Sequence, residues 1–443
     1  MTARRSRLTG SAKIRLVAIM NGEVVGNVYQ MANGQLAFRY EESWRHTVGA
    51  FPLSLSMPLT AAEHGDQSTR AYLWGLLPDN PDVLEWWARR YGISRHRVVE
   101  LLARVGEDCA GAVQFATPER AHDLMTTAHN TSETESVEWL GNNELELRLR
   151  DLRLNPAAGR SANDTGQFSL AGAQPKTALY QSADGKWGVP SGRVPTNRIL
   201  KPPTLGLDDL AYNEHFCLSL ARELGFSAAA SRVQQFGDEV AIVLERYDRV
   251  VLGDRLVRVH QEDMCQALAV RPTQKYESEG GPGVIAIENL LRQSSSDPAQ
   301  DTSRFVDATA FNWLIAGTDA HAKNYSILHA AGPQLRLAPL YDVISALPYQ
   351  QLKHSASTLA MAIGGERRIS AIHTSHWQTL ARETGLPTSE MVERVRAVAK
   401  AIPDAIERLT ARQQNDVALR RTFEKFGLHV ASHVTACMKR LGG

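Results

Sequence analysis

The chain has 443 residues, 43% hydrophobic and 22% charged, the proportions of an ordinary globular protein with room for two or three domains. With 49 Lys and Arg against 48 Asp and Glu, the formal charge of +1 excludes a protein-wide field that would draw it to nucleic acid or membrane. Cys109, Cys217, Cys265 and Cys437 are too scattered for a metal or redox pair. The apolar run Leu16–Met20 meets Asn21-Gly22 at once, too short for a signal segment or a membrane span, so a cytoplasmic protein is expected.

Residues 14–48 alternate apolar and polar positions around Asn21-Gly22 and Asn33-Gly34, which predicts a small antiparallel meander. Helices are predicted over Ser68–Leu77, Pro81–Tyr91 and Arg95–Val105, with a strand-like exit over Cys109–Phe115. Polar stretches from about 118 to 135 and over Asn155–Gln167 bracket a helix expected at Val137–Leu154. Strands follow at Thr177–Tyr180, Trp187–Val189 and Arg198–Lys201, then the amphipathic helix Asp208–Leu224 ended by Gly225, then strands Ser231–Phe236 and Glu239–Arg246. From about 261 onward helices dominate, apart from one hairpin. A strand-rich lobe with one long helix, followed by a helical lobe, is the layout of a bilobal kinase. The expected architecture is therefore α+β: a small α+β N-terminal subdomain at 1–118, a linker and helix at 119–160, a strand-rich N-lobe at 161–250, and a helical C-lobe carrying the catalytic segment at 251–443.

The catalytic segment is Asp319-Ala-His-Ala-Lys-Asn324, with Tyr341-Asp342 beyond it. An Asp, four residues, an Asn and then a second Asp form the polar skeleton of an ATP-phosphoryl-transfer site. One carboxylate takes the proton of the attacking hydroxyl, while an amide and a second carboxylate hold Mg²⁺ against the phosphates. Between them, Tyr325–Leu340 reads as strand, turn, strand, with Ala331-Gly332-Pro333 at the turn, so Asp342 can return beside Asn324. The bland alternative makes Asp319 a helix stop and Asp342 a loop carboxylate. Upstream, Lys201 ends a strand and Glu214 lies early in the next helix, the pairing by which kinases fix an ammonium on the α- and β-phosphates. Glu245-Arg246-Tyr247 closes an apolar strand where a kinase hinge offers backbone groups to adenine. Phe168-Ser-Leu-Ala-Gly-Ala-Gln-Pro-Lys176 carries small residues that let backbone N–H groups approach phosphate oxygens, although it is neither a Walker A nor a GxGxxG loop. Glu262 and Asp263 add acidity without a derivable role. Six elements in kinase order weigh more than any one of them.

Several longer motifs carry a family resemblance: Ser169-Leu-Ala-Gly-Ala-Gln-Pro-Lys-Thr-Ala178, Asn213-Glu-His-Phe-Cys217, Glu245-Arg-Tyr-Asp-Arg249, Gln261–Gln266, Lys275-Tyr-Glu-Ser-Glu-Gly-Gly-Pro-Gly283 and Gly317–Asn324. Together with Asn33–Tyr40, Pro52–Leu59 and Leu76-Leu-Pro-Asp-Asn-Pro81, they resemble the HipA family over nearly the whole chain. These are toxin serine/threonine kinases of bacterial toxin–antitoxin pairs. The resemblance implies Asp319 as catalytic base, Asn324 and Asp342 as Mg²⁺ ligands, and Lys201 on the ATP phosphates. It also implies an adenine hinge at Glu245, Arg246 and Tyr247, and a phosphate cover formed by Ala171, Gly172, Ala173, Gln174, Pro175 and Lys176. His321, Lys323 and Tyr341 complete the ATP-binding set. Ser169 matches the family's autophosphorylated serine, whose modification ejects the loop. The implied substrate is a translation factor, chiefly glutamyl-tRNA synthetase or another aminoacyl-tRNA synthetase. The implied partner is a HipB-like helix-turn-helix antitoxin that binds operator DNA, and no membrane is involved.

Three departures stand out. Pro175 replaces the usual glutamate of the loop, and Gln350–Ser357 differs in length and composition from the best-known member. Arg382 matches one of two basic positions that touch operator DNA in that member, while the other is Gly385, so the antitoxin is expected to carry most of the DNA contact. Two other functions stay open on the residues: a small-molecule kinase of the aminoglycoside type, which shares Asp-x4-Asn and Asp, and a catalytically idle co-repressor, which would need none of these groups. The N-terminal subdomain also carries exposed-looking aromatics, Trp74 and Trp86-Trp87, as candidate antitoxin contacts.

Overall fold

The computed structural model describes residues 13–126, 137–159, 168–204, 206–207, 209–253, 255–330, 334–349 and 358–442. The chain opens with β1 (Lys13–Met20), β2 (Glu23–Gln30) and β3 (Leu36–Tyr40), followed by α1 (Glu42–His46), β4 (Glu63–His64), α2 (Asp66–Gly75), α3 (Pro81–Tyr91), α4 (Val98–Val105), β5 (Val113–Ala116) and α5 (Pro118–Thr126). The antiparallel sheet runs β4-β3-β2-β1-β5. Asn21 and Gly22 both take positive φ, 49° and 87°, the backbone that a two-residue hairpin with native twist requires. For α3 the start and stop are written locally: the Asn80 side chain accepts from the Asp82 N–H, Pro81 occupies the first turn, and Gly92 closes in the left-handed region. One face of the sheet packs with α2, α3 and α4 around Phe38, Tyr72, Leu102 and Phe115. Trp87 is buried in this core, and Trp74 and Trp86 are half-buried against it, so only part of the expected aromatic surface is open.

A second sheet has the order β10-β11-β9-β7-β8-β6. Its strands are β6 (Val137–Leu140), β7 (Thr177–Gln181), β8 (Trp187–Pro190), β9 (Arg198–Lys201), β10 (Ser231–Phe236) and β11 (Glu239–Glu245), with α6 (Asn142–Leu154) and α7 (Leu210–Glu223) on opposite faces. Along β11, Ala241 and Val243 pack toward Leu145 and Leu149 of α6, while Ile242 and Leu244 join Phe216 and Leu220 of α7. That period of two decides where each side chain of the sheet goes. The helix expected over Val137–Leu154 is a strand and then a helix: β6 pairs with β8 from Val137 opposite Pro190 to Leu140 opposite Trp187. A sheet partner some 50 residues away outweighs the local helical pattern there.

The chain then forms β12 (Arg249–Leu252), β13 (Arg255–Arg258), β14 (His260–Asp263), α8 (Met264–Ala267), α9 (Val284–Ser294) and α10 (Pro298–Leu314). These lead to the hairpin β15 (Ser326–Ala330) and β16 (Gln334–Leu337), paired as expected, although the Ala331–Pro333 turn lies outside the described residues, as does Gln350–Ser357. The remaining elements are β17 (Thr358–Ile363), β18 (Glu366–Arg368), α11 (Thr374–Thr384), α12 (Thr388–Ala411) and α13 (Val417–Arg440). Helices α7 and α9–α13 share one core around Phe311, Trp313, Trp377 and Phe426. The fold is α+β and kinase-like: a strand-rich lobe over a helical lobe, with a further α+β unit at the N-terminus. Among the described residues no helix is long and apolar enough to cross a membrane.

Candidate active site

Between the lobes lies a cleft of about 630 Å³, and it gathers residues from all three parts of the chain. Alternation along β9 places Leu200 in the core beneath α6 and turns Lys201 the other way, toward α7. There its Nζ donates to Glu214 at 2.8 and 3.1 Å and to Asp342 Oδ1 at 2.7 Å. Burial opposes a charged lysine, but Asp342 and Glu214 outweigh it and hold Lys201 above its ordinary range. Asp342 is held well below the usual carboxylate range despite burial, through Lys201 and Lys176. Its φ of 57° is unusual for a residue with a side chain, and such backbone conformations concentrate at functional sites.

The segment expected to be catalytic follows α10. Gly317 donates its N–H to Asn312 O at 2.7 Å, and a Cβ at Gly317 would collide with the Asn312 side chain, so only glycine lets the chain turn this closely. Asp319 then faces the cleft. Its Oδ1 accepts from the Tyr276 hydroxyl at 2.7 Å, and its carbonyl accepts from Asn324 Nδ2 at 2.8 Å. The Tyr341 hydroxyl donates to Lys323 O at 2.7 Å and lies 2.6 Å from Ser326 Oγ, which ties the residue before Asp342 to the one before Asn324. His321 is buried, which lowers its pKa, and its Nδ1 has no hydrogen-bond partner among the described residues. Lys323 is also buried, and its ammonium meets Asp79 at 2.7 Å.

Above these groups sits the loop 168–176. Ser169 is fully buried, and its hydroxyl donates to Leu76 O at 2.7 Å. Gly172 O accepts from the Asp79 N–H at 3.2 Å. Ala171, Gly172, Ala173, Gln174 and Lys176 line the cleft, whereas Pro175 faces a separate small cavity with Val83 and Trp87. Lys176 Nζ donates to Ala171 O at 2.8 Å, and burial together with Lys201 lowers its pKa to about 8. In the hinge, Glu245, Arg246 and Tyr247 all border the cleft, and the Tyr247 ring lies 5.8 Å from that of Tyr341. The Arg246 guanidinium turns away from the cleft and pairs with Asp248 at 2.8 Å and Asp108 at 3.4 Å. Any contact of Arg246 with adenine is therefore left to its backbone. Arg382 is exposed on α11, donates to Thr379 Oγ1 at 2.9 Å, and lies outside the cleft.

Four groups of this neighbourhood were not assigned a place from the sequence. Asp79 pairs with Lys275 and Lys323, and Tyr276 meets Asp319. Glu262 is buried and accepts from Ser54 Oγ at 2.5 Å, Leu55 N–H at 2.8 Å and His329 Nε2 at 2.9 Å, which anchors the N-terminal unit to β14 and β15. Asp263 caps α8 by accepting from the Gln266 N–H at 2.9 Å. The signals were present as the motifs Leu76–Pro81, Lys275–Gly283 and Pro52–Leu59, but nothing local ties them to the cleft.

A strand lysine bonded to a helix glutamate, over a loop that presents Asp-x4-Asn and a second Asp, defines a bilobal protein of kinase type. Residues 16–116 match the HipA N-terminal domain family, and residues 168–406 match the HipA-like C-terminal domain family. The chain is 34% identical over 392 residues to Y4mE of Sinorhizobium fredii, covering 88% of this chain and 90% of that protein. It is 27% identical over 382 residues to the serine/threonine-protein kinase toxin HipA of Shewanella oneidensis, covering 84% and 83%. The solved complex of Shewanella oneidensis HipA, HipB and operator DNA contains a chain of the same fold, with TM-score 0.80 and 23% identity over 96% of this chain and 97% of that one. The protein belongs to the HipA family.

Proposed function

We propose that this protein is a serine/threonine protein kinase that uses Mg·ATP and acts as the toxin of a toxin–antitoxin pair. The carrying observation is the Lys201–Glu214 bridge at 2.8 Å in one cleft with Asp319, Asn324 and Asp342. The cleft fits a nucleotide: the Gln174 amide and His321 Nδ1 are buried polar atoms on its wall that the described residues leave unpartnered. The donor set also fits a hard divalent cation. Asp342 gives one oxygen to Lys201 and keeps the other, and Asn324 donates through its N–H and keeps its carbonyl oxygen. When bound, Mg²⁺ would neutralise charge on the phosphates. Lys201 orients them, the loop 171–176 covers them, and Asp319 accepts the proton of the attacking hydroxyl.

The substrate in this reading is an aminoacyl-tRNA synthetase, with the glutamyl enzyme first, and its modification in the cytoplasm arrests growth and favours persistence. A HipB-like antitoxin neutralises the kinase, docks across the N-terminal unit and the helical lobe, and brings it to operator DNA as a co-repressor. Self-phosphorylation at Ser169 would end activity. The buried Ser169 hydroxyl is reachable only after the loop leaves its seat on Leu76, and a phosphate there would have no proton to give the Leu76 carbonyl and would be repelled by it. The test is transfer of radiolabel from ATP to a panel of synthetases, with Asp319→Ala as control. Label on one synthetase, lost in the control, is the expected result. Label passing to an aminoglycoside and to no protein would replace this reading with a small-molecule kinase.

A further inference from the structure

The segment Leu76–Asn80 joins α2 to α3 and belongs to the N-terminal unit, yet it touches both working loops of the cleft. Toward the loop 168–176 it offers Leu76 O to Ser169 and the Asp79 N–H to Gly172 O. Toward the catalytic segment the Asp79 carboxylate takes one ammonium on each oxygen, Lys323 on Oδ1 at 2.7 Å and Lys275 on Oδ2 at 2.8 Å. The side chains are largely closed to solvent, 10% exposed for Asp79, 3% for Lys323 and 13% for Lys275. Lys323 immediately precedes Asn324, and Lys275 immediately precedes Tyr276, whose hydroxyl rests on Asp319. The backbones of the two lysine segments also meet, through Ala322 N–H to Lys275 O at 3.4 Å.

We propose that Asp79 is a positioning residue of the phosphoryl-transfer site: from the N-terminal unit it fixes Lys275 and Lys323, and through them the segments that carry Tyr276, Asp319 and Asn324. Two ammonium groups this close repel each other, and neither has water enough to stand alone. Burial opposes ionising Asp79, but Lys323 and Lys275 outweigh it and hold its pKa at about 2, so the bridge is charged at neutral pH. Asp263, the other carboxylate acting on Lys323, is already engaged in capping α8. Without Asp79, Lys323 and Lys275 lose the carboxylate that holds both, and their displacement shifts positive charge within the cleft where negative charge develops during transfer. The N-terminal unit thus completes the active site in addition to any role in binding a partner.

The proposal rests on the kinase reading, and one assay separates the two. Full-length wild type, Asp79→Asn, Lys275→Gln and the double variant are compared for transfer of label from ATP, for binding of a fluorescent ATP analogue, and for thermal unfolding. Asp79→Asn is expected to lower kcat by about 10–100-fold per folded molecule, a loss typical of a misplaced catalytic group, with a much smaller change in KM for ATP. Asp79→Glu should recover part of that loss. The losses of Asp79→Asn and Lys275→Gln should overlap, so that the double variant is little worse than the first. A folded Asp79→Asn with wild-type kcat, or fully additive losses, overturns the proposal. If Asp79→Asn does not fold, Lys275→Gln decides, and an unchanged kcat there overturns it. Wild type that transfers no label refutes the kinase reading and this proposal with it, whereas equal transfer by wild type and Asp79→Asn refutes the proposal alone.

Discussion

Two buried ion clusters flank the hinge, and they differ in kind. The first joins Asp108 and Asp248 to Arg246, Arg249 and Arg258. Arg249 reaches Asp108 at 2.8 Å and Asp248 at 3.0 Å, and the same arginines donate to the carbonyls of Cys109, Gly111 and Arg193. Asp108 accepts from Thr196 as well, and the side chains of the two aspartates and three arginines are all at most 8% exposed. This cluster is nearly closed and ties the N-terminal unit to the N-lobe. The second joins Lys201, Glu214 and Asp342, and there Asp342 is 27% exposed, sits at positive φ and turns toward the cleft. A closed cluster turns nearly all of its donors and acceptors inward and supports the fold. An open one leaves a charge-bearing oxygen toward solvent, where a ligand can take it.

That contrast can be broken most sharply at Asp108. Replacing it with Ala strands three buried arginines on one remaining aspartate and should cost about 3–5 kcal/mol of stability, read by urea unfolding. Lost activity with stability intact would show that the closed cluster is part of the catalytic apparatus. Asp319→Ala should behave oppositely, with phosphoryl transfer falling by about 10²–10³ or more and unfolding free energy moving by no more than about 1 kcal/mol. Asp342→Ala should lose transfer to the same extent and cost less stability than Asp108→Ala, because Glu214 still holds Lys201. Near-normal turnover of Asp342→Ala with Mg·ATP would remove Asp342 from the metal-binding role.

Smaller effects sharpen the open cluster. Ser169→Asp places a carboxylate where a buried hydroxyl now donates to a carbonyl, so the loop should be displaced and ATP affinity fall by about tenfold or more; an unchanged affinity in a nucleotide titration would sever the loop from ATP binding. Lys176 provides the mildest test. Its pKa is lowered to about 8, and it is surrounded by Lys201, Asp342, Asp79 and Glu214. Below that pH it is an ammonium ready for phosphate, and above it the free cleft must first regain a proton. ATP affinity should therefore be level below pH 8 and weaken above it, by up to about tenfold per unit, while Lys176→Met should flatten the curve. A flat wild-type curve would place Lys176 away from the phosphates.

Where the determinants of an element are local, the sequence reading matches the structure closely. Pro81–Tyr91 agrees to the residue, because its cap, its first-turn proline and its closing glycine are all written in the sequence. Arg198–Lys201 and Ser231–Phe236 agree as well. The pairing of Lys201 with Glu214 follows from strand alternation and one helix, so it too was legible. Val137–Leu140 was misjudged because its strand state depends on β8. The direction of the Arg246 side chain was not legible, because besides Asp248 its partners are Asp108, Cys109 O and Thr196, 50 to 138 residues away.

By itself, then, the sequence determined most of the elements up to Glu245 and marked the candidate phosphoryl-transfer residues, since periodicity, capping and motif spacing act over a few residues. After residue 260 it marked one hairpin and missed β14 and the β17–β18 pair. Tertiary structure decided which carboxylates meet which cations. Asp79 between Lys275 and Lys323, Glu262 on Ser54, and Asp108 among three arginines are contacts between segments far apart in the chain. Their physical cause is that burying a charge is costly unless an opposite charge or a polar donor is brought to it, and only the packed chain determines which one arrives.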